Sequence, residues 1–249
     1  MPGEGWVLSR RHPSLGGHHL VGLIPLLPQG MLEERSVPNP EVRSVIHDLI
    51  HDTAGLFHTS EIRWFAHGLL PRHIEDWFTG GRTTGSVEQR LDSYQLYGIN
   101  DIGVKRRDRT TLEVKVRRAL GASLNLGNGL EGRVEEWSRW EPGEAGGIWQ
   151  SPGKGWIGVR KVIYIRSFMP TDREVMLPAV HTNRLHPGCD IEIAEVNADG
   201  TDTWTLALKA FGPTARRQQA LESSWRTLQA HSPLPENLGF TFDRACGYP

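Results

Sequence analysis

The chain has 249 residues, of which 38% are hydrophobic and 23% are charged, and its formal net charge is −1. This composition excludes an intrinsically disordered chain, because it supplies enough apolar material for a core. The near-neutral charge excludes a general attraction to nucleic acid or to an anionic membrane, so we expect neither as a partner. Two cysteines, Cys189 and Cys246, are too few for a disulfide framework, which favours a reducing, cytoplasmic location.

The sequence predicts one domain behind an N-terminal arm, and this domain contains three helices. Residues 1–30 are rich in glycine and proline and are predicted to be a flexible arm, whereas residues 31–249 are predicted to form a single domain. Apolar residues at helical spacing predict a helix over 38–54. A proline opens a predicted short helix over 71–78, and an amphipathic pattern predicts a last helix over 214–230.

Eight segments between residues 59 and 212 have the alternation typical of β-strands and are separated by turn signals. Two of the links, 108–110 and 199–202, are short enough for hairpins, so the strands they join are predicted to be antiparallel. A glycine-rich link over 141–157 is predicted to be a lid. The eight segments are 59–65, 90–97, 101–107, 111–118, 133–140, 158–168, 189–198 and 203–212.

Nearly every segment divides into an apolar face and a charged face, because successive side chains of a strand point to opposite sides of the sheet. In TLEVKVRR, for example, Glu113, Lys115 and Arg117 share one face and apolar residues share the other. An open sheet with its charged face in water explains the charged face of any one strand. If the helices cover the apolar faces of a closed barrel, however, the charged faces turn inward.

A charged interior is costly unless it is wet or holds a ligand of opposite charge. The sequence therefore predicts a mainly β (α+β) fold, an eight-stranded antiparallel tunnel-type β-barrel with flanking helices, that binds an anionic small molecule. Arginine suits bidentate contacts to phosphate. The residues predicted to bind the ligand are Arg63, Arg90, Lys105, Arg107, Arg117, Arg133, Arg139, Arg160, Tyr164, Arg166 and Lys209.

The strand order, the helix after the first strand and the alternating charge resemble the triphosphate tunnel metalloenzymes, also called the CYTH-like superfamily. The resemblance covers about residues 59–212 and implies a phosphorylated ligand and metal-dependent hydrolysis of a triphosphate or organophosphate. It implies catalytic roles for Glu61, Glu113 and Lys115. It also implies that Mg²⁺ or Mn²⁺, which prefer carboxylate oxygens, is held by Glu61, Glu113, Glu135 and Glu192.

The first strand departs from the pattern of that family. Where the family has Glu-x-Glu-x-Lys, this chain has Glu61, Arg63 and Phe65, so one acidic residue and the lysine are replaced. This departure favours a second hypothesis, a non-catalytic binding module in which each glutamate forms a salt bridge to a cross-strand arginine. A third hypothesis is a lipocalin-type barrel holding an acidic organic ligand, for which the lumen would be largely apolar.

Overall fold

The computed structural model describes residues 56–80, 86–95, 101–107, 111–140, 156–170, 176–179, 186–235, 238 and 240. The predicted arm, the predicted helix over 38–54 and residues 141–155 of the predicted lid lie outside these ranges. The boundary between arm and domain also lies outside them, and all of these stay predictions.

The described residues form nine strands and two helices. Neither helix is long and apolar enough to cross a membrane. In chain order the elements are β1 (Leu56–His67), α1 (Arg72–Thr79), β2 (Ser86–Gln95), β3 (Ile102–Arg107), β4 (Thr111–Asn125), β5 (Glu131–Trp140), β6 (Trp156–Pro170), β7 (Met176–Ala179), β8 (Gly188–Ala198), β9 (Thr201–Phe211) and α2 (Thr214–His231).

Eight of the strands close into an antiparallel barrel in the order β2, β3, β4, β5, β1, β9, β8, β6, and β6 pairs back with β2. The predicted fold class is therefore confirmed. Strand β7, which the alternation did not predict, pairs with the end of β6 where the pairing with β2 has stopped.

The turn between β8 and β9 shows how local sequence sets the pairing. Ala198 pairs with Thr201, so Asp199 and Gly200 form a two-residue link. Both have positive φ, 48° and 78°, as a type I′ turn requires, and an Asp-Gly pair tolerates this conformation well. The predicted antiparallel hairpins β3–β4 and β8–β9 are both confirmed.

The largest apolar core lies between the outer face of the barrel and the two helices. Trp64 and Leu208 contribute to it from β1 and β9, Phe78 from α1, and Leu221 and Trp225 from α2. The indole nitrogen of Trp225 also donates a hydrogen bond to the Leu126 carbonyl oxygen at 3.0 Å. Because the apolar faces of β1, β8 and β9 pack under the helices, their opposite faces turn into the barrel.

The packing of α2 on the barrel predicts the result of truncating Leu221, which is completely buried. Leu221→Ala should lower the free energy of unfolding by roughly 2–5 kcal/mol, because it leaves a cavity in the core. Urea denaturation measures the change. Leu69→Ala is the matched control, because Leu69 is exposed and its loss should cost less than about 0.5 kcal/mol. Equal effects of the two substitutions would contradict the packing of α2.

Candidate functional site

The barrel encloses a cavity of about 110 Å³, which is room for several water molecules, since each needs roughly 10–15 Å³. Among its described lining residues, eight lysines and arginines face six carboxylates, so the lumen has two more positive than negative side chains. The cations are Arg63, Arg90, Lys105, Arg107, Lys115, Arg139, Lys161 and Lys209, and the carboxylates are Glu61, Glu88, Asp92, Glu113, Asp190 and Glu192.

The structure brings together the three residues predicted to be catalytic and six of the eleven predicted to bind the ligand. All nine line the cavity, and their roles stay predictions. They are Glu61, Glu113 and Lys115 together with Arg63, Arg90, Lys105, Arg107, Arg139 and Lys209.

The predicted inward face of β6 is wrong. Arg160 is exposed, and Tyr164 and Arg166 point towards α1. The Tyr164 hydroxyl donates to Glu75 Oε1 at 2.8 Å, and Arg166 Nη1 donates to the last turn of α1 at 3.3 Å. The opposite face of β6, including Lys161, lines the lumen instead. Sequence reasoning therefore missed Lys161, and the one signal for it was its place in the alternating set of Lys161, Ile163 and Ile165.

Two further predicted ligand-binding residues lie away from the cavity. Arg133 is exposed near the hairpin end of β5. Arg117 forms ion pairs with Glu135 and with the largely exposed Asp101. Two irregularities in the β4–β5 pairing, at Arg117/Ala119 and Leu120/Ser123, shift the register there. Neither Arg117 nor Arg133 is among the described residues that line the cavity, and their predicted role in ligand binding stays a prediction.

Glu61 and Lys115 form a buried ion pair in the lumen. Lys115 Nζ lies 2.7 Å from Glu61 Oε2, and the Thr59 hydroxyl donates to Glu61 Oε1 at 2.6 Å. The ammonium also lies 4.3 Å from the centre of the Trp137 ring, a cation–π contact. Burial opposes ionisation of Glu61, but Lys115 and Lys209 outweigh it and lower its pKa to about 2. Glu61 is therefore a carboxylate that neutralises Lys115.

Glu113 and Glu192 each hold more than one cation. Glu113 forms ion pairs with Lys105 at 2.9 Å, with Arg107 at 2.8 Å and with Arg139 at 3.9 Å. Burial raises the pKa of the Glu113 carboxyl, but these three cations more than offset that effect and hold it below its usual range.

Glu192 bridges Arg63 at 3.1 Å and Lys209 at 2.7 Å. Its pKa is also lowered, because Lys209 and Arg63 outweigh the effect of burial. Burial has the opposite effect on the lysine and lowers the pKa of Lys209 to about 8, even with Glu192 beside it.

A third group lies where β2, β3 and β6 meet. Asp92 Oδ2 is 3.4 Å from Lys161 Nζ and 3.9 Å from Lys105 Nζ. Lys161 Nζ also donates a short hydrogen bond to the Tyr94 hydroxyl, which in turn lies 3.4 Å from Asp92 Oδ2. The other oxygen, Asp92 Oδ1, is buried and has no hydrogen-bond partner among the described residues.

The two signs of charge differ in how far they reach into the cavity. The side chains of Glu61, Asp92, Glu113 and Glu192 are at most 9% exposed. Most of the cations they hold are more exposed, and Arg107 and Lys209 reach 25% and 28%. These four carboxylates are therefore more buried than most of the cations that they hold, whereas Glu88, which also lines the cavity, is 36% exposed.

The four carboxylates predicted to bind Mg²⁺ or Mn²⁺ do not form one cluster, although Glu61 and Glu135 are opposite each other on β1 and β5. Glu61 and Glu192 lie on β1 and β8, which β9 separates, and Glu113 and Glu135 are each held by arginine. No three carboxylate, imidazole or thiol side chains in the described part of the chain are close enough together to hold a metal ion. These residues do not fit the predicted metal centre.

The fold and the lumen define a closed, eight-stranded antiparallel tunnel-type barrel with a charged, ion-paired interior. Solved structures of S. pombe Pct1 RNA triphosphatase, in complex with the Spt5 CTD and without it, are similar to this chain. The identities are 14% and 12%, the matches cover 82% of this chain and 95% and 94% of those chains, and the TM-scores are 0.31 and 0.33. At these values the likeness says nothing about what this chain binds. No family model matches the sequence, and no curated protein is similar to it.

The lowered pKa of Glu61 predicts how acid affects stability. Because its pKa falls from 4.5 to about 2 on folding, its ionisation stabilises the fold above pH 4.5, and this contribution disappears as the pH falls towards 2. The contribution is on the order of 3 kcal/mol. Glu61→Gln should therefore be less stable than the wild type at neutral pH, and the difference should shrink on acidification.

Urea denaturation at a series of pH values tests this prediction, down to the lowest pH at which the protein folds. Glu131→Gln is the control, because Glu131 is an exposed glutamate of the same barrel. It should match the wild type throughout. A difference between wild type and Glu61→Gln that stays constant with pH would contradict the ionised pair.

Proposed function

We propose that this protein binds a phosphorylated or otherwise polyanionic small molecule in the barrel lumen. The observation that carries the proposal is the arrangement of charge: eight lysines and arginines line the lumen against six carboxylates, and four of those carboxylates are more buried than most of the cations that they hold. Arginine and lysine side chains that are already held by carboxylates form a preorganised site for an anion. Such a site loses little side-chain entropy on binding.

Phosphate is the anion that this site suits best. Arg90, Arg107 and Arg139 bring planar guanidinium groups to the cavity, and guanidinium can bind two phosphate oxygens at once. Lys105, Lys115 and Lys209 add compact ammonium groups on β3, β4 and β9. The lumen has two more cations than carboxylates, so a ligand with at least two negative charges neutralises this surplus and a monovalent anion does not.

The two alternatives differ in what they require of the lumen. A lipocalin-type site requires a largely apolar lumen, and this cavity has fourteen ionisable side chains in its described lining. Metal-dependent hydrolysis requires a metal centre, which the described carboxylates do not fit. The proposed activity is therefore binding without hydrolysis, as in the non-catalytic module.

A thermal-shift measurement with tripolyphosphate, pyrophosphate and ATP tests the proposal at constant ionic strength. A ligand at 100 times its Kd stabilises the fold by about 2.7 kcal/mol, which for a chain of this size raises the Tm by roughly 5–10 °C. We expect such a shift with at least one of these compounds, without added Mg²⁺ or Mn²⁺. A shift that appears only with metal would favour the metalloenzyme hypothesis, and no shift with any compound would contradict the proposal.

Arg107→Gln should weaken phosphate binding, because it removes one of the more exposed cations of the lumen. Glu113 keeps Lys105 and Arg139 as partners, so the fold should tolerate the change. Loss of one charged hydrogen bond, about 1.5–3 kcal/mol, lowers the affinity roughly 10- to 100-fold, which calorimetric titration with tripolyphosphate measures. Arg160→Gln is the matched control outside the barrel and should bind as the wild type does. Equal loss in both variants would place the ligand outside the lumen.

Binding should also depend on pH through Lys209. Because its pKa is about 8, this side chain is charged below that pH and neutral above it. Affinity for tripolyphosphate should therefore fall as the pH rises through 8. Lys209→Arg keeps its charge, so its affinity should fall less steeply through pH 8 than that of the wild type. Parallel profiles for the two proteins would contradict a contact between Lys209 and the ligand.

A further inference from the structure

Lysine is rare in this chain and is concentrated in the lumen. The sequence contains five lysines against 23 arginines. Four of the five, Lys105, Lys115, Lys161 and Lys209, line the cavity, and the fifth, Lys154, lies outside the described residues. Nearly all the amines of this protein therefore lie in one small, enclosed volume.

The difference between the two basic side chains matters in such a place. Arginine stays protonated in proteins, whereas a buried lysine can lose its proton and expose a nitrogen lone pair. A neutral lysine is a nucleophile towards carbonyl compounds, and burial next to other cations is a known way to activate it. The lumen thus holds groups that can do more than attract an anion.

Lys161 differs from the other three lysines in its surroundings. Lys105, Lys115 and Lys209 each lie 2.7–2.9 Å from a glutamate oxygen, whereas the Asp92 oxygen is 3.4 Å from Lys161 Nζ. Lys161 is only 6% exposed, and it also donates a hydrogen bond to a neutral group, the Tyr94 hydroxyl. Burial lowers the pKa of Lys161 well below its usual range, and the positive charges of Lys105 and Arg63 add to the effect.

Tyr94 and Asp92 complete a path for protons beside this amine. Lys161 Nζ donates to the Tyr94 hydroxyl, and that hydroxyl lies 3.4 Å from Asp92 Oδ2. Asp92 Oδ1 has no partner among the described residues although it is buried in the lining of the cavity. A buried oxygen of this kind needs a donor, and the described side chains supply none.

From this geometry we propose that Lys161 is a nucleophilic amine that forms an imine with an aldehyde or ketone carrying a phosphate group. The proposal rests on the proposed function for one point, that the lumen cations hold the phosphate. The Lys161 amine, the Tyr94 hydroxyl and the Asp92 carboxylate carry the rest of the argument.

The reaction needs no oxidant and no further reactant. The lone pair of Lys161 Nζ adds to the carbonyl carbon, and the carbonyl oxygen becomes a hydroxyl group by taking a proton that the nitrogen gives up. The resulting carbinolamine then loses this hydroxyl with the second nitrogen proton as water, which leaves a carbon–nitrogen double bond. Tyr94 can carry each proton from nitrogen to oxygen, and Asp92 Oδ2, 3.4 Å from the Tyr94 hydroxyl, can orient that hydroxyl group.

Reductive trapping tests the proposal directly. The folded protein is incubated with glycolaldehyde phosphate and sodium cyanoborohydride, which reduces an imine to a stable secondary amine, and the modified residue is located by peptide mass spectrometry. We expect Lys161 to be modified at least 10-fold faster than Lys105, Lys115 or Lys209. Because the site is read from the wild-type protein, the result does not depend on any variant folding. Modification spread evenly over the lysines, or absent from Lys161, would overturn the proposal.

Two comparisons test the roles of the phosphate and of Tyr94. Glycolaldehyde, which lacks the phosphate, should modify Lys161 at least 10-fold more slowly, and equal rates would overturn the phosphate requirement. Tyr94→Phe should slow the trapping at Lys161 severalfold, and an unchanged rate would remove the proton-transfer role. Arg160→Gln alters the residue next to Lys161 on the outer face and should react as the wild type does.

The same measurements distinguish a failure of the imine proposal from a failure of the proposed polyanion binding. Tripolyphosphate should protect Lys161 from glycolaldehyde phosphate if both occupy the lumen. If tripolyphosphate raises the Tm but Lys161 is not modified, polyanion binding stands and the imine proposal fails. If Lys161 reacts equally with both aldehydes and tripolyphosphate has no effect on the Tm, the amine is reactive but the lumen does not select anions, so polyanion binding and the phosphate requirement both fail.

Discussion

Charge neutralisation inside a closed barrel is the constraint on which the rest of this structure depends. An ion without a partner in such a place costs several kcal/mol, so every lumen carboxylate must be held by cations. Glu113 has three such partners, and Glu192 has two. Because the cations outnumber the carboxylates, the pairing leaves a surplus of positive charge directed at the cavity. The carboxylates thus position the lysines and arginines, and the lysines and arginines define what the lumen can hold.

The charged interior is possible because the apolar faces of the strands pack against helices on the outside of the barrel. Helices α1 and α2 cover β1, β8 and β9 with a continuous core that includes Trp64, Phe78 and Leu221. The indole nitrogen of Trp77 on α1 donates to the Ser232 carbonyl oxygen just after α2, which joins the two helices. The largest apolar core therefore lies outside the barrel wall, whereas a smaller apolar cluster that includes Tyr94 and Ile163 borders the lumen. This separation lets the lumen be rich in ionisable groups without the loss of a core.

The lumen combines two kinds of basic group that serve different ends. Guanidinium groups on Arg90, Arg107 and Arg139 keep their charge and suit a phosphate. The pKa of a buried lysine depends on its surroundings, and the pKa values of Lys209 and Lys161 are lowered to different degrees. Lys209 has Glu192 beside it at 2.7 Å, whereas Lys161 lies 3.4 Å from Asp92 and donates a hydrogen bond to the Tyr94 hydroxyl. A cavity that holds a phosphate in front of such an amine is suited to a ligand with an anionic end and a carbonyl end.

The sequence by itself determined the barrel and the inward charge of most of its strands, since residues i and i+2 of a strand share a face and the alternation can be read locally. It did not determine the inward face of β6, because both faces of that strand carry polar residues. Pairing across the closing seam decided it: Lys161 is opposite Arg90 of β2, and α1 takes Tyr164 and Arg166 on the outside. Likewise, the partner of each carboxylate and the exposure of each cation depend on strands far apart in the chain. Only the closed barrel brings these charges within a few ångströms of one another, and Coulomb interactions in a buried site are decided at that distance.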